Sequence, residues 1–234
     1  MKKLLMALTA FVTLFASSGV ATAAPITGSI SATTGGGMFA TGPWANSPQA
    51  DLDWSVTYNA GNSLWTYVYD FNVGAKELSH IIFQVSDTFT ASNIFAGTTG
   101  NRTLADHVGK DGPGNANLGM PEDLYGLKFD GNGGFGLDTT ITIITDRAPM
   151  WGSFYAKDGK DGTGQNGVEV YAYNTSFGQT STANIFGTAP QGFVLVPDTK
   201  GGDGQGNVPE PGSLALAGAG LFLLGLGRRR TRKS

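Results

Sequence analysis

The chain has 234 residues and no cysteine, which excludes disulfide bonds and thiol catalysis within it. Its formal net charge is −3, but two of the 15 basic residues lie at the start and five lie at the end. Residues 24–207 keep 8 basic and 17 acidic side chains, a net charge near −9. Such a surface repels phosphate backbones and argues against nucleic acid as a partner.

The first 23 residues have the three parts of a secretory signal peptide. Two lysines follow Met1, residues 4–15 are apolar, and Ala21-Thr22-Ala23 supplies small residues. We expect signal peptidase to cut between Ala23 and Ala24, because a later cut would place Pro25 directly after the scissile bond. About 12 apolar residues are too few to span a bilayer, so an uncleaved anchor is the weaker alternative.

Apolar and polar side chains alternate through much of residues 24–197, which is the pattern of half-buried β-strands. The clearest runs, 52–58 and 65–73, flank the turn-like sequence Asn59-Ala60-Gly61-Asn62 and predict an antiparallel hairpin. An irregular first strand is expected within 27–42, and a long connection at 97–123. Further strands are predicted at 81–85, 124–129, 139–145, 151–156, 168–173 and 193–196.

These strands, without a convincing amphipathic helix, predict one all-β domain over residues 24–197. Short, unequal strands and long connections favour an antiparallel β-sandwich, jelly-roll-like or immunoglobulin-like, over a closed barrel. Because no disulfide is available, the hydrophobic core must stabilise the fold.

The body shows no pattern typical of a catalytic, cofactor or metal site, and we expect no enzyme. Neither histidine, His80 or His107, has a partner at a spacing that suggests acid–base catalysis. The acidic pairs Asp51/Asp53 and Glu122/Asp123 are compatible with glycoside hydrolysis, but adjacent acids are more often solvated. The Asp/Gly/Asn-rich stretches 130–134 and 158–166 offer oxygen ligands for calcium, although β-turns explain them better.

Tryptophans and tyrosines are the remaining functional hint, because aromatic rings on a sandwich face stack on sugars. Trp54 and Trp65 share the register of other apolar strand residues and are expected in the core. Trp44 and Trp151 are left as candidates for the surface.

The last 27 residues have a three-part order of their own. Val208-Pro209-Glu210-Pro211 precedes an uncharged apolar run at 212–227, which predicts a single transmembrane helix about 24 Å long. The tail 228–234 then holds positive charges that keep the carboxyl end cytoplasmic. The Gly-rich linker 198–207 separates the motif from the folded body. The charges are those of Arg228, Arg229, Arg230, Arg232 and Lys233.

This order resembles the PEP-CTERM protein-sorting signal of exported proteins from Gram-negative, often biofilm-forming bacteria. The resemblance implies an inner-membrane intermediate, processing near the motif by an exosortase, and delivery to the cell surface or the exopolysaccharide matrix. The body is also similar to sandwich ectodomains joined to such tails, through residues 77–81 and 151–159.

We therefore expect an exported, non-enzymatic surface or matrix protein. Its expected partners are signal peptidase and exosortase during export, and exopolysaccharide if the protein acts in the matrix. The main alternative is a carbohydrate-binding adhesin, and a secreted hydrolase is less favoured. A tail that is never cut would instead serve as a short membrane anchor.

Overall fold

The computed structural model describes residues 24–46, 48–109, 117–133, 135–162 and 167–197. The predicted signal peptide, linker and sorting tail lie outside these residues. Among the described residues, no helix has the length and apolar character needed to cross a bilayer.

Twelve strands and two short 3-10 helices, Gly42–Ala45 and Ala91–Asn93, make up the described regular structure. Every ladder between these strands is antiparallel, which confirms the all-β, antiparallel prediction. The strands are β1 Ile26–Ser31, β2 Met38–Ala40, β3 Asp51–Asn59, β4 Leu64–Asn72, β5 His80–Gln84, β6 Arg102–His107, β7 Leu124–Asp130, β8 Asp138–Thr145, β9 Pro149–Gly152, β10 Phe154–Asp161, β11 Val168–Asn174 and β12 Val194–Pro197.

The strands form three sheets. One has the order β1-β3-β4-β8, a six-stranded sheet has the order β2-β11-β10-β5-β7-β6, and β12 pairs with β9. The predicted hairpin is confirmed as β3 and β4, which pair from Asp51 with Asn72 to Asn59 with Leu64. Its turn is supported by Asn59, whose Oδ1 accepts a hydrogen bond from the Gly61 amide at 2.9 Å.

Three predicted segments differ from the structure. The run 151–156 divides at Ser153 into β9, which pairs with β12, and β10, which pairs with β5 and β11. The Ser153 amide donates to the Gln84 side chain at 2.9 Å. The connection 97–123 contains β6, an edge strand whose mixed exposure shows no alternation. The segment 27–42 holds two strands, β1 and β2, joined by a turn in which Gly35 and Gly37 adopt positive φ.

The four-stranded and six-stranded sheets face each other across one apolar core. Tyr69 of β4 stacks on Phe83 of β5 with ring centroids 3.8 Å apart, and Phe71 lies 6.3 Å from Phe154. The β9–β12 pair closes the core with side chains such as Leu195. This face-to-face packing is consistent with the expected β-sandwich.

Segment 95–99 covers the outer edge of β8. The Phe95 and Thr99 amides donate to the carbonyls of Ile144 and Thr142, both at 2.9 Å. In return, the Thr98 and Thr99 hydroxyls accept hydrogen bonds from the Ile144 and Thr142 amides at 2.9 and 2.8 Å. The edge is therefore closed to pairing with another chain.

Replacing Tyr69 with Phe tests the contact between β4 and β12. The buried Tyr69 hydroxyl donates to the Leu195 carbonyl oxygen at 2.7 Å, so Tyr69→Phe leaves that oxygen without its donor. We expect the free energy of unfolding to fall by about 1–2 kcal/mol in urea denaturation. The control Tyr58→Phe, at a half-buried ring near the hairpin turn, should change it by less than about 0.5 kcal/mol. Equal losses in both variants would contradict this role.

Candidate functional site

The two histidines lie on the outer face of the six-stranded sheet, on different strands. His80 begins β5 and is buried, with Tyr155 beside it at 6.0 Å between ring centroids. Its Nε2 has no hydrogen-bond partner among the described residues. His107 ends β6, where its Nε2 donates to the Gly126 carbonyl oxygen at 3.2 Å. The structure therefore does not bring the two rings together as a catalytic pair.

Burial keeps the His80 ring neutral. It lowers the pKa of His80 to about 4, and the positive charges of Lys128 and Lys157 act in the same direction. The carboxylate of Asp130 and the polar side chain of Asn117 oppose the shift. Burial also lowers the pKa of His107.

The acidic pairs occupy two separate places. Asp51 and Asp53 point outward from β3, and Asp53 lies directly opposite Asp70 of β4. Burial, followed by the charges of Asp51 and Asp70, raises the pKa of Asp53. Asp70 accepts a hydrogen bond from the Thr140 hydroxyl at 2.6 Å. Asp53 and Asp70 line a depression of about 400 Å³ on this face, together with the hydroxyls of neighbouring Ser and Thr residues.

Glu122 and Asp123 lie in the segment before β7. Asp123 Oδ1 accepts a hydrogen bond from the Gly109 amide at 2.9 Å, so it supports the local chain conformation. Among the residues that the structure describes, no three His, Asp or Glu side chains gather as metal ligands. The stretches 130–134 and 158–166 are described only in part.

The structure corrects the expected surface position of two tryptophans. Trp44 is 0% and Trp151 is 2% exposed, so neither offers a ring to a ligand. Trp44 packs edge-on against Phe71 at 5.3 Å, and its Nε1 donates to the Lys76 carbonyl oxygen. Trp151 Nε1 donates to the Ala183 carbonyl oxygen at 2.9 Å. The predicted burial of Trp54 and Trp65 is confirmed.

An aromatic row does occur on the outer face of the six-stranded sheet, but it consists of other residues. We define the aromatic row as Phe39 of β2, Tyr171 and Tyr173 of β11, and Tyr155 of β10. Register places these side chains next to one another, because Tyr173 pairs with both Phe39 and Tyr155. The alternation of tyrosines within β11 is visible in the sequence. The residues that lie beside them on neighbouring strands are not, because strand pairing decides them.

The rings of the aromatic row are close to parallel. Tyr171 and Tyr173 have centroids 6.3 Å apart and an interplanar angle of 9°, and Phe39 lies 5.0 Å from Tyr173 at 27°. Tyr155 is covered, and its hydroxyl donates to the Leu118 carbonyl oxygen at 2.7 Å. Phe39 is 42% exposed, and Tyr171 and Tyr173 are half-buried. The accessible part of the row is therefore Phe39 with parts of Tyr171 and Tyr173, and the backbone at Gly119 lies against the Tyr171 ring.

Three charged side chains flank the aromatic row. Lys157 Nζ lies 3.3 Å from Glu169 Oε2, and Lys160 Nζ lies 3.8 Å from the other Glu169 oxygen. Glu169 and Tyr171 share one face of β11 because their positions differ by two. Apolar rings beside hydrogen-bonding groups are the combination found in small-molecule binding surfaces.

Residues 207–233 match the family model of the PEP-CTERM protein-sorting motif, which confirms the resemblance of the carboxyl-terminal segment. The match includes Val208–Pro211 and the basic cluster from Arg228 to Lys233. The motif indicates export through a membrane to the cell surface with exosortase-dependent sorting. No curated protein and no solved structure matches the chain. Of the two residues at the expected signal-peptidase cut, Ala24 is described and exposed, and Ala23 lies outside the described residues.

Protonation of His80 should contribute to acid unfolding. The ring charges near its ordinary pKa of 6.5 in the unfolded chain, but only near pH 4 in the folded one. Its stabilising contribution is therefore complete above pH 6.5 and is lost as the pH falls towards 4. At 1.36 kcal/mol per pKa unit the loss reaches about 3 kcal/mol.

Urea unfolding at about pH 7 and about pH 5 measures this dependence. We expect His80→Gln to have a smaller pH slope than the wild type, because glutamine does not titrate. The matched variant His107→Gln should keep most of the slope, since the ring of His107 is less deeply buried. An unchanged slope in His80→Gln would show that other groups cause the acid sensitivity.

Proposed function

We propose that this protein is exported, is sorted by an exosortase through its carboxyl-terminal motif, and acts at the cell surface or in the exopolysaccharide matrix without catalysing a reaction. The single observation that carries this proposal is the PEP-CTERM match at residues 207–233. The acidic, cysteine-free body between the two terminal segments is compatible with a stable exported domain.

The placement of the titratable groups supports a structural or interaction role. His107 donates its Nε2 hydrogen to a backbone carbonyl, and burial keeps His80 uncharged. Asp53 and Asp70 lie on a sheet face with no histidine beside them in the strand register. General acid–base catalysis requires a titratable group with a positioned partner, and these residues do not form such a pair.

Carbohydrate binding is the second candidate function, and the aromatic row favours it. Near-parallel rings present apolar faces and edges, while Lys157 and Glu169 beside them can exchange hydrogen bonds with sugar hydroxyls. The opposite outer face, by contrast, displays Thr, Ser and Asp. An adhesin would therefore bind its polysaccharide through the aromatic row.

Mass analysis tests the sorting proposal. We expect wild-type protein recovered from the cell surface to lack both the signal peptide and residues 212–234. Replacing Pro209-Glu210-Pro211 with three alanines should leave the tail attached and the protein in the inner-membrane fraction, because the processing motif is gone. Replacing Lys200 in the linker with alanine is the control and should be processed normally. Surface protein that retains Arg228–Ser234 would refute processing.

A glycan array tests the adhesin version separately. If the aromatic row binds sugars, Tyr173→Ala should weaken binding by about tenfold, since an aromatic contact contributes on the order of 1 kcal/mol beyond its buried area. Phe186→Ala, at an exposed ring outside the row, should bind as the wild type does. No binding by correctly sorted wild-type protein would eliminate the adhesin version and leave the sorting proposal standing.

A further inference from the structure

Strand β6 forms one edge of the six-stranded sheet and pairs with β7 on one side only. In the part of the chain that the structure describes, the backbone of 102–107 makes no hydrogen bond outside this ladder. Segment 95–99 covers the edge of β8 in the other sheet, but no described segment does the same for β6. An unpaired strand edge is a template for a further strand.

The outward backbone groups of β6 belong to its even-numbered residues. The Asp130 amide of β7 donates to the Asn101 carbonyl oxygen at 3.1 Å, so the odd positions of this ladder face β7. The Val85 amide of the β5 side donates to the Tyr125 carbonyl oxygen at 3.1 Å, which directs the odd positions of β7 to β5 and the even ones to β6. Both bonds give the same alternation, because N–H and C=O groups change sides at every residue. The outward residues are Arg102, Leu104 and Asp106.

The side chains of these three residues also share one face of β6, because alternate residues of a strand point the same way. Leu104 is half-buried and packs against the main core, and Arg102 and Asp106 are exposed on either side of it. The two charges are about 13 Å apart along the strand, too far to pair with each other. Arg102 Nη1 donates to the Thr99 carbonyl oxygen at 2.9 Å, and the guanidinium has further donors. The edge therefore presents a cation, an apolar group and an anion in that order.

We propose that β6 is a homophilic interface, through which two copies of the protein pair antiparallel about a two-fold axis at Leu104. This axis places Arg102 of each copy opposite Asp106 of the other, and the two Leu104 side chains opposite each other. The outward N–H and C=O groups of these residues then meet as hydrogen-bonded pairs. Opposite charges across strands stabilise the pairing, and Thr103 meets the small side chain of Ala105 without a clash.

The charges select this arrangement over others. A parallel pairing in the same register would place Arg102 beside Arg102 and Asp106 beside Asp106, and like charges directly opposite destabilise a sheet. An antiparallel register shifted by two residues would leave both charges opposite uncharged residues. The edge strands β1 and β2 carry no charged residue, so their sequences select neither a partner nor a register. Self-complementarity thus points to a second copy of this chain as the partner.

The dimer is expected to be weak. One strand edge from each copy makes a small interface, and interfaces below about 1,200 Å² are typically transient. The net charge of the body, near −9, opposes association, although the two charges on the β6 edge cancel. Because a two-fold contact uses the same edge of both copies, it closes at the dimer and does not extend to a fibre. The inference does not depend on how the tail is processed.

Analytical ultracentrifugation of the mature protein measures this association. Between about 1 µM and about 1 mM, we expect the wild type to pass from monomer to dimer, with no larger species. Arg102→Asp and Asp106→Arg should each weaken the dimer by at least about tenfold, since each places like charges opposite each other at two symmetric sites. The control Asp161→Arg makes the same change of charge at an exposed position of β10 and should dimerise as the wild type does.

A mixture of the two single variants tests the register itself. In a mixed dimer, the carboxylate introduced at position 102 faces the guanidinium introduced at position 106, and the unchanged Arg102 and Asp106 face each other. We therefore expect two variants that are monomeric alone to form a heterodimer when combined. The double variant Arg102→Asp/Asp106→Arg should also regain the dimer, because its charges are exchanged and not removed. Circular dichroism checks that each variant is folded.

Several results would overturn the proposal. Wild-type protein that stays monomeric up to about 1 mM would do so, as would single variants that dimerise as strongly as the wild type. A mixture of folded single variants that remains monomeric would contradict the axis at Leu104. If a single variant does not fold, a folded double variant without dimer refutes the charge pairing. Loss of the dimer in Tyr173→Ala would assign association to the aromatic row instead.

Discussion

The stacking of Tyr69 on Phe83 across the interface of the two large sheets is the contact on which the rest of the structure depends. With no cysteine in the chain, the sheets are held together by apolar packing between their inner faces. Ring centroids only 3.8 Å apart leave no room for water between β4 and β5. β1 and β11 carry surface groups on one face. The side chains of their other face pack into this core, and that packing fixes the position of each strand.

The two outer faces of the domain differ in chemistry. The four-stranded sheet presents hydroxyls and carboxylates, including Asp53 opposite Asp70. The six-stranded sheet presents the aromatic row, part of which is covered by Leu118 and its neighbours. Like charges paired across strands destabilise a sheet, so the side chains of the acidic face contribute little to the free energy of folding. The aromatic face keeps Phe39 42% exposed, so apolar contact with this ring would be favourable.

Errors in the predicted aromatic surface have a common physical cause. Trp44 lies in a 3-10 helix, where period-two alternation carries no information, and its burial results from contact with Phe71 of a distant strand. Trp151 is buried because β9 pairs with β12, more than forty residues later in the chain. The row of Phe39, Tyr171 and Tyr173 exists because β2 pairs with β11. Local pattern describes one strand at a time and cannot supply these neighbours.

Local chemistry alone was sufficient for the carboxyl-terminal sorting motif, the all-β class and the β3–β4 hairpin. Charge runs, alternation and Asn/Gly turns act between residues close in the chain. Sheet order, the edge strand β6 and the aromatic row arose only from the folded chain. Each depends on contacts between distant segments, such as β2 with β11, and the free energy of those contacts comes from packing that no single segment contains.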